Sequence, residues 1–323
     1  MSEYRNSTDS SSGFDTRNEH NRTYIDEKEN PITANHTHNF TRIGKMPGKN
    51  ALPLLNLKAM VAKSFPNGRH IRIYNRDVPI DNMTFGQVEA MMEWERETTY
   101  TIPRQKTCGL VGNGGILLNS SCGNDINSND FVIRFNIPEI EHFVKDVGLK
   151  TNLTLVNYEL MKYLHRAAMR HANKLERLRS YQFLNDSILW YPGTLSHNIR
   201  RLALSNLKSK FHIPFRVAYT PTFSANTSFH LIKRLDPRHR LTAGINTIVA
   251  ALSICDEVTI YGFYPRNYDA SGRKLPYHYY GKFSNVTEDI NSFKTPHNWE
   301  AEFKLLTVMQ AHGIMKWVTS KCV

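Results

Sequence analysis

Apolar residues along this chain follow two rhythms. The first is a set of short dense runs: TCGLV at 107–111, FVIRF at 131–135, LTLV at 153–156, ILWY at 188–191, FRVAY at 215–219 and VTIY at 258–261. Their length and their β-branched and aromatic content predict buried strands. The second rhythm places apolar residues three or four apart over longer stretches, at 158–179, 195–208, 226–235 and 244–254, and predicts helices. A further helix is expected over 82–97, with Phe85, Val88, Met91 and Met92 on one face, and 54–65 reads as a short amphipathic segment. Near the end, 299–312 predicts a helix with Phe303, Leu306 and Met309 or Gln310 inward. Gly313 stops it, and 314–319 forms a last strand. Strands alternating with helices give an α/β fold with a central, mostly parallel twisted sheet flanked by helices. No internal repeat interrupts that pattern.

The stretch from Cys108 to Asn136 is where function is to be sought. Its first strand runs into a turn, Gly112-Asn113-Gly114-Gly115, then a polar connection, then the second strand. Each strand ends on an asparagine, Asn113 and Asn136. Ligands of open α/β sheets bind outside the carboxyl ends of the strands. An amide there can hydrogen-bond a base, sugar or phosphate without adding charge. A dinucleotide fingerprint does not fit. Leu117 stands where its third glycine belongs, and Asn136 replaces the ribose-binding acid. No Asp-x-Asp pair occurs in the chain. Such a pair commonly holds the divalent ion of a nucleotide-sugar transferase, so the expected site is metal-free.

The motif His297-Asn-Trp-Glu-Ala-Glu302 puts a histidine just ahead of a helix and a carboxylate in its first turn. The partial positive charge at a helix start favours a neutral imidazole, able to accept a proton. Glu302 would orient that histidine or cap the helix. Taken alone, the pattern also fits a loop histidine followed by a dipole-complementing Glu, and His278 also fits a packed member of its tyrosine cluster.

Composition narrows the classes. The first 50 residues are polar with few large apolar side chains and predict a disordered stem, leaving 51–323 as the folded domain. The formal net charge of +12 fits a basic surface or an acidic ligand. The densest basic segment, 166–179, reads as a solvated helix face. No basic run is interleaved with aromatics, so no nucleic-acid channel is expected. Four cysteines without a Cys-x-x-Cys pair exclude a zinc ribbon or thioredoxin motif. Ten Asn-x-Ser/Thr sequons, at Asn6, Asn21, Asn35, Asn39, Asn82, Asn119, Asn152, Asn185, Asn226 and Asn285, exceed the roughly four expected by chance. With an even cysteine count they point to an oxidising secretory lumen. No signal peptide and no long apolar run accompany them.

Together these residues resemble the animal sialyltransferases, glycosyltransferase family 29, most closely their α2,8 branch. The large sialylmotif resembles 108–157, including VGNGGIL, SNDFVIRFN and DVGLKTNL. The small motif resembles 236–265, with RLTAG and ALSICDEVTIYGFYP. The third matches His278-Tyr279-Tyr280, and the very small motif matches His297 with Glu302. The resemblance covers roughly 100–323. It implies a metal-independent, GT-A-like variant of a Rossmann-type α/β fold, with CMP-sialic acid as donor and no cofactor. It implies that Asn113, Asn136, Thr242, Ala243, Gly244, Gly262, Phe263, Tyr264 and His278 bind the donor. His278 would assist the departing phosphate and His297 would be the general base, supported by Glu302.

The resemblance also implies disulfides Cys108–Cys255 and Cys122–Cys322. The expected acceptor is a sialylated glycolipid or glycoprotein glycan, and Gly114-Gly115 resembles the mono- and oligo-sialylating members. Linkage α2,3 or α2,6, or a glycan-binding relative without transfer, remain alternatives at this point. The implied location is the Golgi lumen, with an N-terminal membrane anchor missing from this chain and room for a homodimer. The sequence departs from many α2,8 relatives at Phe135, where they carry Cys, and at Thr242-Ala243-Gly244, where they carry Ser-Thr-Gly. Tyr264 replaces a Trp, and Gly281 replaces an acid. If its turn is buried, Asn119 is the sequon least suited to carry a glycan.

Overall fold

A computed structural model of the chain describes residues 56–65, 70–74, 99–161, 186–192, 215–220, 241–281 and 297–322. The described residues fall within one compact unit, Ala34–Val323. Their elements are α1 (Leu57–Ser64), β1 (Arg72–Tyr74), β2 (Thr99–Thr101), β3 (Gln105–Val111), α2 (Gly123–Ser128), β4 (Phe131–Phe135), α3 (Val144–Val147), β5 (Leu153–Leu155), β6 (Ile188–Tyr191), β7 (Arg216–Tyr219), α4 (Ala243–Ile254), β8 (Cys255–Tyr261), α5 (Trp299–Ala311) and β9 (Lys316–Val318). The nine strands form one sheet in the order β2-β1-β7-β6-β5-β4-β3-β8-β9. From β7 to β9 every pairing is parallel, while β1 runs antiparallel to both β2 and β7. The expected α/β class with a mostly parallel sheet is therefore the observed one.

The order of the strands positions the site. From β3 the chain builds outward through β4, β5, β6 and β7, then returns to lay β8 and β9 on the other side of β3. The boundary between β3 and β8 is thus a topological switch point, where an open α/β sheet leaves a crevice at its carboxyl edge. The turn after β3 is 112–115 and the turn after β8 is 262–264, so two of the predicted binding segments open onto one crevice.

The main core explains why α4 sits centrally. Ile245, Ile248, Val249, Ala250, Ala251, Leu252 and Ile254 are all buried, so α4 is enclosed on nearly every side, as an internal helix is. It passes directly into β8, whose first residue, Cys255, is disulfide-bonded to Cys108 on β3 across 147 residues. The second disulfide, Cys122–Cys322, spans 200 residues and holds the chain end beside the turn before α2. Each closes a long loop of the unfolded chain, which stabilises by a few kcal/mol in the chain-entropy model.

Several expectations are corrected. The polar connection before β4 contains helix α2, whose sequence GNDINS offers Ile126 as its sole large apolar anchor. Strand β8 starts three residues earlier than its apolar run, because Asp256 and Glu257, though exposed, lie in the stretch that pairs with β3 ahead of where β9 begins. On α5 Gln310 is exposed, and the inward face is Glu302, Leu305, Leu306 and Met309. Gly313, at φ +64°, does stop the helix. Its N–H donates to Gln310 O, and the Ile314 N–H donates to Met309 O. Asn119 is exposed on its turn, at φ +60°, so the condition set for its sequon is not met. Asp146 holds that turn, accepting the N–H groups of Asn119 (2.8 Å) and Ser121 (2.9 Å). The stem, the predicted helices 82–97, 195–208 and 226–235 and the basic segment 166–179 lie outside the described residues. Of 158–179 only its helical start at Tyr158 is described.

Candidate active site

The turn after β3 is built of backbone against backbone. Gly112 N–H donates to Tyr261 O (2.8 Å), Gly114 N–H to Gly262 O (2.9 Å) and Gly115 N–H to Tyr277 O (3.3 Å), while Tyr279 N–H donates to Asn113 O (2.9 Å). The 262–264 turn thus lies on one side and the 277–279 segment on the other, with His278 bridged to Gly114. No side chain fits in these contacts. A Cβ on Gly114 would come within 2.6 Å of Gly262 O, and one on Gly115 would strike the Pro276 carbonyl.

This packing aims Asn113. Its Nδ2 donates to Phe135 O (3.1 Å), and its Oδ1 is buried with no hydrogen-bond partner. A buried acceptor left unmade costs about 1–3 kcal/mol. Asn113 Oδ1 is therefore able to accept an N–H or O–H from outside the fold. Asn136 ends β4 at φ +60° and is followed by Ile137 at φ +53°. Asparagine tolerates the left-handed region; a β-branched residue there is strained by about 1–3 kcal/mol. Asn136 Oδ1 accepts Asn157 N–H (3.0 Å), which assigns its oxygen to the fold and leaves the amide nitrogen as the group able to donate to a ligand.

Arg134, one residue before Phe135, is fully buried, a role its apolar strand did not signal. It donates to the carbonyls of Val147 (2.8 Å), Gly148 (3.0 Å) and Lys150 (3.0 Å), at the C-terminal end of α3, and to Thr151 Oγ1 (2.9 Å). Burial lowers its pKa to about 10, with Tyr279 beside it acting in the opposite direction. It remains a cation that ties the 147–151 loop to the end of β4. The Tyr279 hydroxyl donates to Glu139 O (2.8 Å), and burial pushes that phenol well above its ordinary range. These bonds fix the segment carrying His278, whose ring stacks on Tyr280 at 5.4 Å and 8°.

The third group of predicted residues starts α4. Thr242 is its N-cap and accepts Ile245 N–H at 3.5 Å. Gly244 lies against the Phe263 ring, which a Cβ at that position would meet at 2.8 Å. Phe263 in turn meets Phe135 edge to face at 5.4 Å. Phe135, the departure from the α2,8 pattern, thus fills a place between the two asparagine-bearing turns and α4. Tyr264 packs elsewhere, against Phe303 (5.8 Å) and Trp317 (6.3 Å). Burial raises its phenol pKa.

At α5 the helix cap is Asn298, whose Oδ1 accepts Ala301 N–H (2.9 Å). Glu302 therefore does not serve as the cap. Its carboxylate, 5% exposed, reaches across to α4 and accepts both Thr242 N–H (2.5 Å) and Thr242 Oγ1–H (2.7 Å). His297 stands one residue ahead of the Asn298 cap, half-buried, with its ring 6.1 Å from that of Trp299. Asn113, Phe135, Phe263, Gly244, Thr242 and Glu302 thus form a continuous chain of contacts around the switch point. Asn136 joins it through the end of β4, His278 through Gly114 and His297 through the first turn of α5.

With this geometry in hand, relatives decide the family. The family model described as glycosyltransferase family 29 (sialyltransferase) matches residues 60–314. The chain belongs to that family. It is 32% identical over 232 residues to the alpha-N-acetylneuraminide alpha-2,8-sialyltransferase of Xenopus tropicalis, a match that takes in 70% of this chain and 64% of that protein. Two solved structures are also similar. One is a mammalian sialyltransferase, 19% identical with a TM-score of 0.43, covering 83% of this chain and 79% of that one. The other is a mammalian sialyltransferase in complex with Gal-beta-1-3GalNAc-ortho-nitrophenol, 17% identical with a TM-score of 0.44, covering 86% and 88%. The family model begins within α1 and ends at Ile314, so it takes in every strand but β9.

Proposed function

We propose that this family 29 chain transfers sialic acid from CMP-sialic acid to a glycan that already carries sialic acid, forming an α2,8 linkage. The observation that carries this reading is the convergence of turns 112–115 and 262–264 with the start of α4 at the switch point, with the buried Asn113 Oδ1 unpartnered among them. The 32% identity to an α2,8-sialyltransferase supports the linkage. In the proposed reaction His297 accepts the proton of an acceptor hydroxyl. The freed oxygen attacks the anomeric carbon of the donor, the bond from that carbon to the phosphate oxygen breaks, and CMP leaves with inversion. His278 and the N–H groups of Ala243 and Gly244 take up the charge that develops on the phosphate. These two are the first residues of α4, beyond reach of an intrahelical carbonyl, and suit an anion.

Among the described residues the site gathers amides, imidazoles and N–H groups rather than paired carboxylates, which supports catalysis without a metal. The sequon excess and the two disulfides support a Golgi lumen location.

Labelled CMP-sialic acid offered with a panel of sialylated and unsialylated acceptors tests the proposal. Transfer confined to sialylated acceptors, in a linkage cleaved as α2,8, is expected. Label appearing on a terminal galactose would replace the linkage assignment. Nucleotide binding without transfer would replace the activity.

A further inference from the structure

The buried Glu302 carboxylate lies 60 residues along the chain from Thr242, whose N–H and Oγ1–H both donate to it. Placing a carboxylate behind an anion-binding helix start is electrostatically costly, since like charges repel most strongly where water is excluded. A fold selected only to hold an anion would put a neutral or positive group there. The geometry offsets the cost by joining two helix starts. Thr242 caps α4, immediately ahead of the Ala243 and Gly244 N–H groups. Glu302 lies in the first turn of α5, immediately behind the Asn298 cap and His297.

We propose that Glu302 is a positioning residue that locks the first turn of α4 to the first turn of α5, so that the anion-binding N–H groups and the proton-accepting imidazole keep one fixed spacing. The inference rests on the donor reading above. It reassigns Thr242 within that reading: both of its donors are spent on Glu302, so it shapes the site without touching the donor. The bond set also explains why a carboxylate is used. Thr242 presents two donors, N–H and O–H, and a carboxylate accepts both. A glutamine in the same place accepts one and must donate to the other, turning the threonine hydroxyl around.

The test uses CMP alone as probe, titrated calorimetrically, alongside donor KM, kcat and the pH profile of transfer. The variants are Glu302→Ala, Glu302→Gln, Thr242→Val and the double variant Glu302→Ala with Thr242→Val. Glu302→Ala leaves the Thr242 N–H unsatisfied and is expected to weaken CMP about tenfold or more. It also lowers kcat and shifts the acid limb of the pH profile, because the His297 loop loses its tie. Glu302→Gln is expected to recover CMP affinity to within about threefold of the unaltered protein. The double variant is expected to be non-additive, no worse than about the weaker single.

Tight CMP binding with an unchanged pH profile in a folded Glu302→Ala protein overturns the inference, as does strict additivity. Should Glu302→Ala fail to fold, Thr242→Val decides. It keeps the backbone bond, and unchanged CMP affinity and kcat there count against the lock. Failure of the unaltered protein to bind CMP would instead sink the donor reading itself, so the two failures are distinguishable.

Discussion

The turn after β3 and the start of α4 face the same crevice but are held in different ways. The turn is fixed by main-chain hydrogen bonds on both sides and by glycines with no room for a Cβ. The start of α4 is fixed by side chains, the Thr242 cap and the Glu302 carboxylate. A backbone-built region has few intermediate states, since any added atom displaces whole strand ends. A side-chain-built region can be loosened by degrees. The glycines of the turn should therefore respond to substitution as a loss of fold, and α4 as a graded loss of binding and rate.

The sharpest way to break that contrast is Gly115→Ala. Its Cβ meets the Pro276 carbonyl and ring, so a destabilisation of about 3 kcal/mol is expected. Thermal unfolding of the Gly115→Ala protein measures it; a melting temperature like that of the unaltered protein would mean the turn is no more rigid than α4.

A titration that strikes neither region gives the baseline for both. His70 is buried between Phe65 and Trp190, and burial lowers its pKa to about 4 from 6.5. The unfolded chain takes up this proton first, so stability is full above pH 6.5 and falls as pH drops toward 4. The full loss is about 3 kcal/mol. Urea unfolding at pH 7.5 and pH 5 should show part of this loss in the unaltered protein and much less of it in His70→Leu. Equal slopes in the two proteins would remove His70 as its source.

Smaller still is the expected effect of Asn113→Ala. It removes the unpartnered Oδ1 and one bond to Phe135 O, so donor affinity should fall about tenfold while the melting temperature moves by only a few degrees. A collapse of the fold instead would show that Asn113 belongs to the rigid frame and not to the site it lines.

How much of this was legible beforehand follows the same division. The strands were readable because buried parallel strands are dense apolar runs, and Asn113, Asn136 and the glycines were readable because they punctuate those runs. Helix α2 was not, since GNDINS has a single large apolar residue and is held by its neighbours rather than by its own pattern. Arg134 drew no reading of its own inside the run FVIRF; its burial is accommodated by carbonyls at the end of α3 that no spacing reveals. The Thr242–Glu302 bonds join helices 60 residues apart, and nothing local pairs the two ends. Even the disulfides came from resemblance, because four cysteines permit three pairings.

The most direct test of His297 as the general base is the transfer rate of His297→Ala, measured beside its CMP affinity. An inverting transferase of the kind proposed retains nucleotide binding within a few-fold while turnover falls by about 100-fold or more. Near-normal turnover in a folded His297→Ala protein would contradict it, and would move the proton acceptor to another residue.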